Sequence, residues 1–140
     1  MEQYSELVSS FHESVAALFS YNGLDVLKLT HRIKSTESIE RKKTRDVVND
    51  IVGFRALLKT EEECHRACEL VKNTYETIPG RTRDYISTPW SDGYMSIHMD
   101  LVFDGQVLEL QIRTPEMDEV AKELIRKLGA YYWYNSDFKR

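Results

Sequence analysis

Apolar residues recur along this chain with two periods, one typical of helices and one typical of strands. The first segment carries apolar side chains at helical spacing: Tyr4, Leu7, Phe11, Val15 and Leu18. This spacing predicts an amphipathic helix over residues 3–20 that ends near Asn22-Gly23. A short strand is predicted over residues 25–33, and a charged helix is expected over about 35–45.

The middle of the chain is predicted to contain a strand, a helix and a loop. Residues 51–58 form a nearly continuous apolar run, as expected for a strand buried on both faces. A helix is predicted over about 60–75, with Thr60 as its N-cap. A turn at Pro79-Gly80 is predicted to open an irregular polar loop that continues through Gly93.

The strongest local pattern is Asp104-Gly105, a two-residue turn between alternating segments at 94–103 and 106–113. A two-residue loop pairs the last residue of one strand with the first of the other, which sets the register. One face of the hairpin is then apolar and is predicted to lie in the core: Met95, Ile97, Met99, Leu101, Leu108, Leu110 and Ile112. A last helix is expected at about 116–130. This order of elements indicates an α+β fold (α/β-like in its first half) with a mixed sheet.

The opposite face of the hairpin is polar. On it, Asp100 lies opposite Glu109, His98 opposite Gln111, and Ser96 opposite Arg113. Like charges directly opposite each other destabilise a sheet. A metal ion or a nearby cationic cluster would turn the two acids into a site. The other interpretation is an ordinary solvated face, which antiparallel hairpins often have.

Seven cations lie in one short stretch of an otherwise acidic protein: Lys28, Arg32, Lys34, Arg41, Lys42, Lys43 and Arg45. Only Glu37 and Glu40 oppose them, which favours a phosphate-binding patch, although an ordinary basic surface helix has the same composition. Arg55 is different because a cation inside an apolar strand is costly unless it is paired. We therefore predict that Arg55 serves a site.

The composition is that of an ordinary globular domain. With 140 residues, 41% of them apolar and 30% charged, the chain is expected to form one domain. Its net charge of −4 excludes a general nucleic-acid coat, so an anionic partner must meet a local patch. No stretch is long enough to span a bilayer and the acidic start does not resemble a signal peptide, so a cytoplasmic protein is expected. Cys64 and Cys68 are interpreted as two small core residues on one helix face.

Five motifs follow one another along the chain: HRIKSTESIERKKTR (31–45), DIVGFR (50–55), IPGRTRDYISTP (78–89), DGYMSIH (92–98) and LELQIRTPEM (108–117). Together they resemble the synthetase domain of the RelA/SpoT family, the guanosine tetra- and pentaphosphate (alarmone) synthetases of the stringent response. The resemblance covers residues 31–117. It implies a nucleotidyltransferase-type mixed β-sheet flanked by helices, in a single domain over residues 1–140 with residues 1–23 as an N-terminal helix.

The resemblance also implies a reaction, that of a GTP diphosphokinase. The β,γ-pyrophosphate of ATP would pass to the ribose 3′-hydroxyl of GDP or GTP, with Mg²⁺ as cofactor. Asp50 and Glu109 would be the catalytic and metal-binding acids. The ATP phosphates would be bound by Arg32, Lys34, Lys42, Arg45 and Arg55. The acceptor would be bound by Arg83, Tyr94, His98 and Gln111, with Tyr94 stacking on its base. These roles fit a transfer that depends mostly on positioning and charge neutralisation.

Two residues depart from the family pattern beside the presumed acceptor pocket. Trp90 stands where a basic residue is usual, and Asp92 stands where an asparagine is usual. An added aromatic platform and a lost cation favour a different acceptor, such as the 3′ end of tRNA or an adenine nucleotide in a toxin-like member. A further alternative is a degenerate domain that binds nucleotide without catalysis. The joint presence of Asp50 and Glu109 argues against that alternative.

The resemblance bears on the extent of the chain as well. The sequence contains no histidine–aspartate hydrolase motif, so the chain is not expected to degrade its own product. Small stand-alone synthetases generally continue with further helices that build a homo-oligomer. Since this sequence stops at Arg140, we interpret it as a fragment, truncated at its C-terminus, or as a minimal form.

Overall fold

The computed structural model describes residues 4–33 and 52–129. Over these residues the chain forms three helices and a five-stranded mixed sheet, which confirms the predicted α+β fold. In chain order the elements are α1 (Ser5–Tyr21), β1 (Lys28–Ile33), β2 (Val52–Leu57), α2 (Glu61–Thr74), β3 (Glu76–Asp84), β4 (Ile97–Phe103), β5 (Gln106–Arg113) and α3 (Pro115–Leu128). The charged helix predicted at about 35–45 lies outside the described residues. None of the described helices is long and apolar enough to cross a membrane.

The strands lie in the order β1-β2-β5-β4-β3, and β2 pairs with β5 in parallel while the other neighbours are antiparallel. The predicted hairpin register is confirmed, with Phe103 opposite Gln106 and the two acids opposite each other. Asp104 and Gly105 have φ angles of 56° and 77°. This left-handed geometry at both turn residues matches the right-handed twist of a tight hairpin. Strand β4 of the hairpin begins at Ile97 rather than at residue 94, so the predicted pairing of Ser96 with Arg113 is not part of the ladder.

One face of the sheet is the main core, and both α1 and α2 cover it. The apolar hairpin face is confirmed, because Ile97, Met99, Leu101, Leu108, Leu110 and Ile112 are all fully buried. Phe11 of α1 lies at the centre of an aromatic cluster, with its ring centroid 4.8 Å from that of Phe54 and 5.2 Å from that of Phe103. The alternation of side chains along each strand therefore leaves the opposite face for the polar residues.

The helix predicted from Thr60 is confirmed in position and in cap. The hydroxyl of Thr60 accepts a hydrogen bond from the amide of Glu63 at 3.1 Å, which satisfies one of the donors at the helix N-terminus. Cys64 and Cys68 are buried free thiols on the core side of this helix, as predicted. Burial raises the pKa of Cys64 to about 12.

The predicted turn and loop after residue 78 is partly wrong, because residues 76–84 form strand β3 at the edge of the sheet. Thr77 pairs with Leu101 and Thr82 with Met99, so extra residues bulge out between them. Pro79 and Gly80, with φ of 76°, lie in this bulge. Proline has no amide donor and glycine takes left-handed φ freely, and an edge-strand bulge is where a sheet tolerates both. The remaining part of the predicted loop, up to Gly93, contains no helix or strand.

Candidate active site

The polar face of the sheet carries two rows of side chains that run across neighbouring strands. The first row joins Arg32, Gly53, Glu109 and Asp100, which lie in register on β1, β2, β5 and β4. The second joins Thr30, Arg55, Gln111, His98 and Arg83, in register on all five strands. The two rows bring together every predicted site residue among those described except Tyr94, which lies in the loop just before β4.

An open cleft occupies the end of these rows where β1, β2 and β5 meet. It is lined by Thr30, His31, Arg32, Gly53, Phe54, Arg55, Glu109 and Gln111. Gly53 separates Arg32 from Glu109, and a Cβ added there would lie 3.7 Å from Oε1 of the carboxylate. Among the described residues no side chain of this row stands between Arg32 and Glu109, so a ligand can approach the carboxylate over the backbone of the glycine.

Arg55 is paired, as expected for a cation in an apolar strand. Its Nε donates to Oε1 of Gln111 at 3.2 Å, and its NH1 lies 3.5 Å from Oδ1 of Asp118. Burial, together with the nearby charge of Arg113, lowers the pKa of Arg55, although the guanidinium remains a cation. The Arg55 side chain is 34% exposed, so it faces the cleft while the contacts with Gln111 and Asp118 hold it in place.

Asp100 has no exposed surface although it lies opposite Glu109. Two cations of β3 compensate its charge. Arg81 donates from Nε to Oδ2 at 2.7 Å, and NH2 of Arg83 lies 3.4 Å from the same oxygen. A metal ion or a cationic cluster was expected to make the pair of Asp100 and Glu109 tolerable. Arg81 and Arg83 form such a cluster. A solvated face does not describe this region, because His98 is also buried.

Tyr94, in the loop before β4, is completely buried beside His98 of the second row. Its hydroxyl lies 2.7 Å from Nε2 of His98, and Nδ1 of the same ring lies 4.0 Å from Oε2 of Glu109. Burial raises the pKa of Tyr94 to about 12, which keeps the phenol protonated. The expected stacking of Tyr94 on an acceptor base stays a prediction, and it requires the ring to become accessible.

A second buried ion pair lies next to Tyr94. Arg113, with 1% of its surface exposed, donates to Oδ1 of Asp118 from Nε at 3.0 Å and from NH2 at 2.7 Å. Its remaining amino group, NH1, donates to the Tyr94 hydroxyl at 3.0 Å. Burial alone would raise the pKa of Asp118, but the contacts with Arg113, helped by Lys122 and Arg55, together outweigh it and the pKa is lowered.

The structure explains both departures at the loop before β4 in terms of packing. Trp90 is 3% exposed and packs against Tyr94, with ring centroids 4.3 Å apart and the planes tilted by 38°, in a small cluster with Ala121 of α3. The expectation of an added aromatic platform is therefore wrong, because the indole is interior. Asp92 accepts a hydrogen bond from the amide of Tyr94 at 3.1 Å, a local turn contact.

Some predicted residues lie outside the described part of the chain, namely Lys34, Lys42, Arg45 and Asp50. Within residues 4–33 and 52–129, no three metal-binding side chains converge. Conversely, sequence reasoning gave no role to Asp118 and placed Arg113 only on the polar hairpin face. The signal for Arg113 was available: a cation at the end of a strand whose neighbours are buried needs a carboxylate partner, and α3 begins two residues later.

Comparison with known proteins gives a consistent set of relatives. The sequence model of the region found in RelA / SpoT proteins matches residues 31–134. A GTP pyrophosphokinase of Brucella ovis is 34% identical over 127 residues, covering 87% of this chain, which spans only 17% of the length of that relative. The small alarmone synthetase 2 of Bacillus subtilis superposes with a TM-score of 0.70 at 28% identity, covering 93% of this chain and 77% of that one.

A second solved structure is similar in fold alone. The small alarmone synthetase 1 of Bacillus subtilis, bound to its product pppGpp, superposes with a TM-score of 0.68 at 21% identity. The alignment covers 91% of this chain and 78% of that chain. The five-stranded sheet and its covering helices are thus a shared architecture.

Proposed function

The chain belongs to the RelA/SpoT family, and we propose that it transfers the β,γ-pyrophosphate of ATP to the ribose 3′-hydroxyl of GDP or GTP. One observation carries this proposal: Glu109 lines one cleft together with Arg32 and Arg55, and Gly53 stands in register between Glu109 and Arg32. A carboxylate that shares a cleft with two cations suits a hydroxyl nucleophile held next to a polyphosphate.

The proposed chemistry is a single displacement at the β-phosphorus of ATP. The 3′-oxygen of the acceptor forms a bond to that phosphorus, the bond from the phosphorus to the α,β-bridging oxygen breaks, and AMP leaves. The proton of the 3′-hydroxyl passes to Glu109. Arg32 and Arg55 neutralise charge on the transferred group from their side of the cleft. Three further cations of the stretch from Lys28 to Arg45 contribute, namely Lys34, Lys42 and Arg45.

Mg²⁺ is part of the proposal, and the described residues fit it. The space beside the Glu109 carboxylate is one that a Cβ at Gly53 would fill, so a small cation can reach Oε1. Asp100 does not compete for it, because its carboxylate is fully buried against Arg81. Magnesium is usually held by one or two carboxylates plus substrate phosphates, so Glu109 with Asp50 would be a sufficient protein set. When bound, the ion would neutralise charge on the phosphates during transfer.

On the acceptor side, we propose that Gln111 and Arg83 contact the ribose and phosphates, and that the ring of His98, whose nitrogens face Tyr94 and Glu109, lines the pocket between them. These three side chains follow one another in register along the second row, starting beside Glu109. The Arg83 side chain is 26% exposed, and Arg81 rather than Arg83 carries the shorter contact to Asp100. Tyr94 would bind the acceptor base.

The test is transfer of label from β,γ-labelled ATP, with Mg²⁺, to GDP, GTP, ADP and deacylated tRNA in parallel. We expect label on a guanine nucleotide and a loss of about 100-fold or more in Glu109→Gln, as for removal of a general base. Glu69→Gln, an exposed acid of α2, is the matched control and should keep full activity. Label only on ADP or tRNA, or undiminished transfer by Glu109→Gln, would contradict the proposal.

A further inference from the structure

A continuous path of polar contacts leads from the first turn of α3 to Glu109. Oδ1 of Asp118 accepts two hydrogen bonds from Arg113, whose NH1 donates to the Tyr94 hydroxyl at 3.0 Å. That hydroxyl lies 2.7 Å from Nε2 of His98, and Nδ1 of the ring faces Oε2 of Glu109 at 4.0 Å. The first four members are each at least nine-tenths buried. Bulk water therefore does not compete for these contacts.

The two ends of the path determine which way its protons point. A guanidinium can only donate, so the Tyr94 oxygen accepts from Arg113 and its own proton is available for His98. An ionised carboxylate can only accept, so Glu109 favours a proton on the imidazole nitrogen that faces it. Both ends thus favour the same arrangement of His98, with a proton on Nδ1 and with Nε2 as the acceptor.

We propose that Arg113, fixed by Asp118, is a positioning residue: it orients the Tyr94 hydroxyl so that His98 presents its Nδ1 proton to Glu109. The assignment of Glu109 as the base rests on the proposed function, whereas the direction of the hydrogen bonds does not. A contact of 4.0 Å is longer than a hydrogen bond, but catalytic contacts of this kind often tighten only when substrate is bound. The path thus orients the carboxylate of Glu109 toward the acceptor hydroxyl whose proton it takes.

Ser96 is a second possible acceptor for the proton of Tyr94, and the test must exclude it. Its hydroxyl also contacts Tyr94, and it lies 3.4 Å from the carbonyl oxygen of Ile112. If Ser96 donates to Tyr94, the phenol oxygen has two donors and gives its proton to His98, as proposed. If Ser96 instead donates to Ile112, Tyr94 can donate to Ser96, and His98 would then carry its proton on Nε2.

The direct test is the tautomer of His98, read from the ¹⁵N resonances of the imidazole in protein labelled at histidine. The protein has four histidines, and His98→Gln identifies the relevant signals. We expect the form protonated at Nδ1 in the wild type, and we expect it to be lost in Tyr94→Phe, which keeps the ring and removes only the hydroxyl. A wild-type His98 protonated at Nε2 would overturn the proposal, whether or not the chain transfers pyrophosphate.

The kinetic test asks whether Arg113 acts through Tyr94. We expect Tyr94→Phe and Arg113→Lys each to lower kcat by roughly 10- to 100-fold with an unchanged KM for ATP, the range seen when supporting residues of a site are removed. The double variant should be no slower than the slower single one, since both changes break the same path. Lys122→Ala is the control, because Lys122 pairs with the other oxygen of Asp118 on the exposed side. Additive losses in the double variant, or an equal loss in Lys122→Ala, would overturn the proposal.

Discussion

Arg81 donates its Nε–H to Oδ2 of Asp100 at 2.7 Å, and this contact explains how an acid is tolerated opposite Glu109. The two partners differ in burial: the Asp100 side chain is 0% exposed and the Arg81 side chain 29%. Removing Arg81 takes the main cationic partner from the buried carboxylate of Asp100. Removing the charge of Asp100 instead leaves Arg81, which can turn toward water. We therefore expect Arg81→Met to cost about 3 kcal/mol of unfolding free energy and Asp100→Asn only about 1 kcal/mol.

Urea denaturation of the two variants and the wild type measures this difference directly. Arg83 lies 3.4 Å from the same oxygen and can take over part of the role, so Arg81→Met should remain folded. Equal costs for the two substitutions would show that the Asp100 charge is not the buried element of the pair.

Phe11 lies outside the stretch matched by the family, residues 31–134, yet its side chain is fully buried between Phe54, Tyr75 and Phe103. We expect Phe11→Ala to cost about 3–5 kcal/mol, as for other large-to-small core substitutions. Thermal and urea unfolding give the value, with the exposed neighbour Ser10→Ala as a control that changes stability by less than about 0.5 kcal/mol. A small effect at Phe11 would mean that α1 is a dispensable attachment.

Substitution of Gly53 by alanine is expected to lower activity without lowering stability. Among the residues that the structure describes, a Cβ added there meets only Glu109 Oε1, at 3.7 Å, an ordinary van der Waals distance, so the fold should accept Gly53→Ala. We expect stability to be unchanged or raised by about 0.4–1 kcal/mol, because alanine restricts the unfolded chain. Transfer should fall on the order of 100-fold, since a displacement of ~1 Å can cost that much. Full activity in a folded Gly53→Ala protein would mean that the ligands do not approach over this glycine.

Asp118 makes a predictable contribution to acid stability. Its pKa in the folded protein lies below the ordinary value of 3.8, because burial, which raises it, is outweighed by the combined effect of Arg113, Lys122 and Arg55. The stabilisation is therefore complete above that value and is lost as pH falls through the lowered pKa. Arg55 and Lys122 face the same carboxylate and act in the same direction.

The measurement is urea unfolding of the wild type and Asp118→Asn from neutral pH to roughly pH 2. We expect the wild type to be more stable at neutral pH and the gap between the two proteins to close in strong acid. A gap that stays constant across this range would assign the effect of the substitution to packing rather than to ionisation.

The hairpin shows what the sequence could predict. Asp104-Gly105 favours one turn type, and a two-residue turn allows a single register, so the pairing of Asp100 with Glu109 followed without any tertiary information. Strand β3 could not be predicted in the same way. Its Pro79-Gly80 pair is a turn signal in isolation, and only the neighbouring strand converts it into a bulge.

The site was predictable only where a motif lay on a regular element. Glu109, Gln111 and His98 were placed on one face by strand alternation, as the structure has them. The ion pair of Arg113 and Asp118 joins a strand end to a helix face, and its geometry depends on how α3 docks. Trp90 was misread for a related reason, since an aromatic residue in a polar loop gives no sign of whether a helix will cover it.

The parallel pairing of β2 with β5 has a consequence for the order in which the protein folds. The β4–β5 hairpin needs only neighbouring residues, whereas β2 and β5 are separated along the chain by α2, β3 and β4. Closing so long a loop costs entropy before any contact repays it, so we expect this pairing to follow hairpin formation. Gly53 and Glu109 meet only across that late pairing. A nascent or partly unfolded chain can therefore contain most of the sheet and still lack the cleft, so the proposed site is completed late in folding.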